Sequence, residues 1–223
     1  MPENWVFGMK REMQEILPGL YLGPYNSASK SKFNTLLNHG ITHIICIRQS
    51  NEANIIKPNF QEKFIYLIVE MEDTMMQNII PHILKCKDFI DRCIGSGGKC
   101  LVHSCHGISR SPSIVIAYVM GKKSMSYEEA FELVKLKRVC IYPNDHFVQQ
   151  LKEYEVIYKA EQTAMQHGQC SQQNGKLKRK FDQSEEEDIR YQSFTCEAMD
   201  DMSLNVLLSF IILFFKKIII KLI

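Results

Sequence analysis

Apolar and polar positions follow two rhythms along the first 160 residues. Short β-type runs recur at 19–23 (GLYLG), 42–47 (THIICI), 64–69 (FIYLIV) and 99–103 (KCLVH). Between them the spacing turns helical. The clearest case sets Ile79, Ile83, Cys86, Ile90 and Cys93 on one helix face at intervals of four and three, with a stop at 95–98 (GSGG). The same reasoning predicts helices over 27–38, 110–121, 126–137 and 144–159. Strands alternating with helices predict an α/β fold, a sheet covered by helices on both faces. Ligands in such folds bind beyond the carboxyl ends of the strands, which is where residues 104–110 fall.

The rhythm stops near residue 160, which divides the chain into a domain over 1–160, a polar tail over 161–203 and an apolar end over 204–223. The tail carries KLKRK (176–180) and then SEEED (184–188) without periodicity, a composition that predicts disorder. The basic five have two readings, a nuclear localisation signal or a solvated charge cluster. The last twenty residues, LNVLLSFIILFFKKIIIKLI, also have two. As a membrane anchor their uncharged part falls short of the roughly 20 residues a bilayer needs, although lysines can snorkel. A run of Ile, Leu, Phe, Lys and Asn also has the composition of AT-rich sequence translated outside the usual frame, which is the favoured reading.

Composition narrows the class only a little. The chain has 223 residues, 45% hydrophobic and 23% charged, with a net charge of +2 that argues neither for nor against nucleic acid, and no nucleic-acid partner is expected. Its 8 cysteines lack paired spacing and several lie in apolar runs, so buried free thiols in a reducing compartment are expected rather than zinc or a disulfide framework. With no charged-then-apolar opening segment, the expected location is intracellular.

The chemistry is concentrated in one stretch, LVHSCHGISRSPS at 101–113. A strand enters a glycine-containing turn and leaves as a helix near Arg110, so that backbone N–H groups of Cys105, His106, Gly107, Ile108 and Ser109 can converge on an anion. Gly107 supplies the backbone freedom for the turn. Arg110 offers a planar fork to two phosphate oxygens, and the helix it opens adds its dipole.

This stretch, together with EILPGLYLG (15–23), HGITHIICI (39–47), EDTMMQNI (72–79) and RVCIYPNDHFVQQLKEYE (138–155), resembles the dual-specificity branch of the cysteine-dependent protein phosphatases. The resemblance covers most of residues 10–160 and implies that family's fold, a mixed, mostly parallel sheet flanked by helices. The family pattern is His-Cys-x-x-Gly-x-x-Arg-Ser/Thr, and here Ser104 stands in place of the cysteine. By the resemblance, Arg110 is the phosphate clamp, Ser111 the hydroxyl that assists the nucleophile, and Asp73, 31 residues before Ser104, the general acid. The inactive, pseudophosphatase side of the branch is the nearer match. It has glycine at the Ser104 position, so the lost thiol is shared and its replacement is not. A second departure is His146, where relatives often have glycine beside the pocket.

Ser104 decides what such a loop can do. A cysteine there works because N–H groups, helix dipole and arginine lower its pKa from about 8.5 to give a thiolate. A serine needs a neighbouring base, and the resemblance implies that the nearby candidates, His103 and His106, are respectively structural and outward-facing. Cys105, one place late, would leave the loop at a different angle. Catalysis is therefore expected to be lost, while binding persists, because a neutral hydroxyl does not repel a phosphate dianion. The expected partners are phosphorylated signalling proteins, for which the resemblance implies MAP kinases first, bound by a monomer with no metal or cofactor, in nucleus and cytoplasm. A weak phosphatase using Ser104 or Cys105, and a surface scaffold with an unused pocket, are the alternatives.

Overall fold

A five-stranded sheet in the order β1-β2-β5-β3-β4 forms the centre of the domain. Its strands are β1 (Gln14–Leu17), β2 (Leu20–Pro24), β3 (His43–Arg48), β4 (Ile65–Glu70) and β5 (Cys100–Ser104). The last four run parallel, and β1 turns back to pair antiparallel with β2. The computed structural model describes residues 7–173, and side chains for residues 8–160. The KLKRK cluster and the apolar end at 204–223 lie outside the described residues.

Alternation along the strands explains how both faces are filled. In β5, Cys100 and Val102 join one core cluster while Leu101 joins the other; in β3, Ile45 and Ile47 face one side and Ile44 the opposite side. The larger cluster lies under α2 (Ile80–Gly95), α3 (Arg110–Lys123), α4 (Tyr127–Lys137) and the start of α5 (Asp145–Gln173). All five predicted stripe residues, Ile79, Ile83, Cys86, Ile90 and Cys93, are buried there. The helix α3 is buried continuously from Arg110 to Met120, as a central helix must be. On α4, a capping box fixes the start: the Glu129 side chain accepts from the Ser126 N–H at 2.8 Å, and the Ser126 hydroxyl accepts from the Glu129 N–H at 3.3 Å.

Three expectations need correction. The helix over 27–38 is broken into 3-10 turns at Tyr25–Ala28 and Lys30–Lys32, and only α1 (Phe33–Asn38) is α-helical. Ser29 sits between the turns in an extended conformation with its hydroxyl 3.1 Å from that of Ser31, and such side chains compete with the helical backbone. The four β-type runs leave out one strand, for the antiparallel member of the mixed sheet is β1 at Gln14–Leu17. It is four residues long at the sheet edge, and only Ile16 within it is buried. The last helix, expected to end at residue 159, continues to Gln173.

The topology positions the site. Because β5 lies between β2 and β3, its carboxyl end opens at the middle of the sheet, and the chain there passes directly into α3.

Candidate phosphate-binding site

The loop between β5 and α3 has its carbonyls engaged on the outside. The Cys105 C=O accepts from the Tyr25 N–H at 3.2 Å, and the Ile108 C=O accepts from the Tyr142 N–H at 2.7 Å. Arg138 donates to the His106 and Gly107 carbonyls at 3.3 and 3.0 Å. The Ser109 C=O accepts from the Ser113 N–H and hydroxyl at 3.0 and 2.9 Å. By contrast, the N–H groups of residues 106–110 make no hydrogen bond among the described residues. A run of unpaired donors opposite a run of satisfied acceptors is a concavity for an anion. Gly107 makes the turn at φ +65, where a Cβ would stand 2.6 Å from the backbone of Gly23, so only glycine fits.

The guanidinium of Arg110 is almost fully buried and held in place by a residue that the sequence did not single out. Its Nη1 and Nη2 donate to Glu52 Oε2 and Oε1 at 2.6 and 2.9 Å, and Nη1 also reaches the Met71 C=O at 3.4 Å. This accounts for three of the five donors. Nε–H and the second Nη2 hydrogen, which share one edge of the fork, remain for a ligand. The Arg110 bonds hold the Glu52 carboxyl below its usual value; burial would lower the arginine, but Glu52 outweighs this and raises it. Both directions describe a charged pair. Since Asp73 Oδ2 also lies 4.0 Å from Arg110 Nε, removing a thiolate does not leave the pocket free of negative charge.

At the first position of the loop, Ser104 is buried, and its Oγ lies 2.9 Å from the Ser111 Oγ. Among the described residues no base is beside it. His103 is fully buried, neither ring nitrogen has a partner among the described residues, and burial pushes its pKa down to about 4. It supports the loop by packing near Tyr25, with ring centroids 5.9 Å apart, rather than by a hydrogen bond. His106 is exposed, with its Nε2 3.9 Å from the Cys105 Sγ. The Cys105 thiol is not activated: burial, and then the Glu52 carboxylate, push it above its ordinary value. Asp73 is drawn onto the loop, where its Oδ1 accepts from the Ser109 hydroxyl and the Asn144 amide, both at 2.7 Å. His146 lies in the first turn of α5.

Comparison with known proteins fits this arrangement. Residues 20–157 match the family model described as the dual specificity phosphatase, catalytic domain. The chain belongs to the dual-specificity phosphatase family. Among curated relatives it is 51% identical over 193 residues to serine/threonine/tyrosine-interacting protein B of Xenopus laevis, covering 82% of this chain and 86% of that one. It is 56% identical over 161 residues to the Homo sapiens serine/threonine/tyrosine-interacting protein, covering 72% of each. The crystal structure of human tyrosine phosphatase-like serine/threonine/tyrosine-interacting protein superposes with a TM-score of 0.66 at 58% identity, over 66% of this chain and 98% of that one.

The residues expected in the loop, from Ser104 to Ser111, lie together between β5 and α3, and Asp73 joins them through Ser109. Glu52, Asn144 and Arg138 complete the arrangement from segments far away in sequence. The only signal for these three was their place inside runs that carry the family resemblance, 138–155 for Asn144 and Arg138 and EANIIKPNF (52–60) for Glu52. Among the described residues no group of His, Cys, Asp and Glu side chains is placed to hold a metal. No described helix is long and apolar enough to cross a membrane.

Proposed function

We propose that this chain is an inactive dual-specificity phosphatase-fold protein that binds phosphorylated Tyr, Thr or Ser side chains of partner proteins and leaves them intact. The observation that carries this reading is Ser104, buried beside Ser111 with no base in reach, at the foot of a loop whose donors are unpaired. A hydroxyl in that setting keeps its proton and cannot attack phosphorus, while the N–H groups and the free edge of Arg110 still attract a dianion. Such a protein shields a phosphate from active phosphatases, or anchors its bearer. The relatives' name of interacting protein agrees with a binding role. By family resemblance, MAP kinases in nucleus and cytoplasm are the partner class to test first.

The test is calorimetric titration of the full chain with a kinase-loop peptide phosphorylated at a single Tyr or Thr, followed by mass spectrometry of the recovered peptide. Saturable binding, intact peptide and about a hundredfold weakening in Arg110→Ala are expected. Released phosphate overturns the inactive reading. Binding that Arg110→Ala leaves unchanged moves the partner site away from the pocket, and absence of binding removes the reader role.

A further inference from the structure

Of the ten exposed large apolar side chains among the described residues, four stand on three of the segments that touch the phosphate loop. They are Ile55, Met75, Met76 and Tyr142, at 72%, 60%, 92% and 69% exposure. Glu52, three residues before Ile55, grips Arg110; Asp73, two before Met75, accepts from Ser109; and the Tyr142 N–H itself donates to Ile108. With chain reach of at most ~3.6 Å per residue, each of the four lies within about 11 Å of its contact with the loop. The turn carrying the two methionines is tied down. Its Gln77 side chain accepts from the Glu72 N–H at 3.0 Å, and the Gln77 C=O accepts from the Gln150 amide at 2.8 Å. The other exposed apolar residues are scattered over α1, β4, α2, α4 and α5.

Local structure gives no reason for a fixed turn to hold Met76 in solvent. Solvent exposure of a single apolar residue is ordinary, whereas four of them on segments that also hold a polar pocket together point to an interaction site. The same segments also carry Glu52, Glu72 and Asp73, so the rim is acidic as well as apolar.

We propose that the mouth of the pocket is a peptide-binding rim that takes apolar side chains flanking the phosphorylated residue, so that the partner presents its phosphate within an extended, apolar and non-acidic segment. This rests on the phosphate-reader function above. Continuity with the anion site fixes the occupant: a phosphate seated on residues 106–110 forces the chain on either side of it across the three segments. Methionine suits such a rim because its flexible thioether adapts to varied side chains. The carboxylates turn away acidic flanks.

Fluorescence anisotropy on the full chain separates the two readings. The probes are phosphotyrosine peptides with Leu/Val, Ser/Gly or Glu on both sides, each with its unphosphorylated twin. The apolar-flanked phosphopeptide is expected to bind about tenfold tighter than the Ser/Gly one. The Glu-flanked peptide is expected to bind weakest, and the double change Met75→Ser, Met76→Ser to erase the apolar preference. Equal affinity for apolar and Ser/Gly phosphopeptides, or a preference that survives the double change, overturns the rim and leaves the reader standing. Unphosphorylated peptides that bind as well as their phosphorylated twins overturn the reader instead.

Discussion

Two arginines flank the phosphate loop, and their surroundings differ in every respect that matters. Arg138 lies outside the loop, fully buried, with five hydrogen bonds to neutral oxygens: the carbonyls of Lys10, Glu12, His106 and Gly107 and the side-chain oxygen of Gln14. All five of its donors are satisfied, and no carboxylate pairs with it among the described residues. Arg110 lies inside, ion-paired to Glu52, with Asp73 Oδ2 4.0 Å from its Nε and no hydrogen bond on that edge of its fork. One cation has every donor bonded to a neutral oxygen; the other is charge-paired and, in the proposed reading, keeps one edge for a ligand. Together they show how a loop can be rigid and receptive at once: bonds taken up outside orient the donors left open inside.

The largest effect should come from returning the nucleophile. If the open edge of Arg110 and the inward N–H groups are a working phosphate seat, Ser104→Cys places a thiol where those same groups lower its pKa. Asp73, the general acid by family resemblance, is already held at the loop by Ser109 and Asn144. Phosphate release from an aryl phosphate should rise at least about a hundredfold over the parent chain. A folded but inert Ser104→Cys protein would mean that the seat is not positioned for in-line attack.

Next in size is the architectural arginine. Arg138→Ala strands five acceptors and uncouples residues 10–14 from the loop, with an expected loss of about 3–5 kcal/mol in chemical denaturation. Arg138→Lys should be nearly as damaging, since an ammonium has three donors and no planar fork. If Arg138→Lys keeps parental stability, charge rather than hydrogen-bond geometry is what matters there, and the contrast between the arginines collapses.

The same contrast explains which parts were legible in sequence. The loop was, because its pieces are consecutive: a strand, a glycine that must turn, and an arginine opening a helix leave a local signature in residues 103–111. The core face of α2 was legible because helical periodicity is local too. Glu52, Arg138 and Asn144 were not, since each reaches the site across a span that no periodicity records; Arg138 to Glu12 crosses 126 positions. A lone glutamate after β3 looks like any solvated loop acid until the fold brings Arg110 to it. The broken helix at 27–38 failed for a different reason, as serine hydroxyls offered the backbone local alternatives that apolar spacing does not register.

The smallest effect probes the ligand-side arginine through its partner. Glu52→Gln removes the carboxylate charge with little change in shape, and should cost about 1 kcal/mol near neutral pH, since the side chain is 19% exposed. Its pH dependence carries the sign. Because the Glu52 pKa is lowered in the folded state, its stabilisation is complete above the unfolded carboxylate value of about 4.3 and is lost as pH falls through the lower folded value. Parent and variant melting curves should therefore converge below about pH 4. His103, buried and shifted down to about 4, destabilises both proteins as pH drops from about 6.5, because the unfolded chain takes up a proton that the folded one refuses. That loss is common to the two and cancels in their difference, which isolates the Glu52 pair. A difference that stays constant from pH 7 to pH 3 would show that Glu52 acts on Arg110 by shape alone, and the distinction between a charge-paired and a neutrally bonded arginine would lose its energetic content.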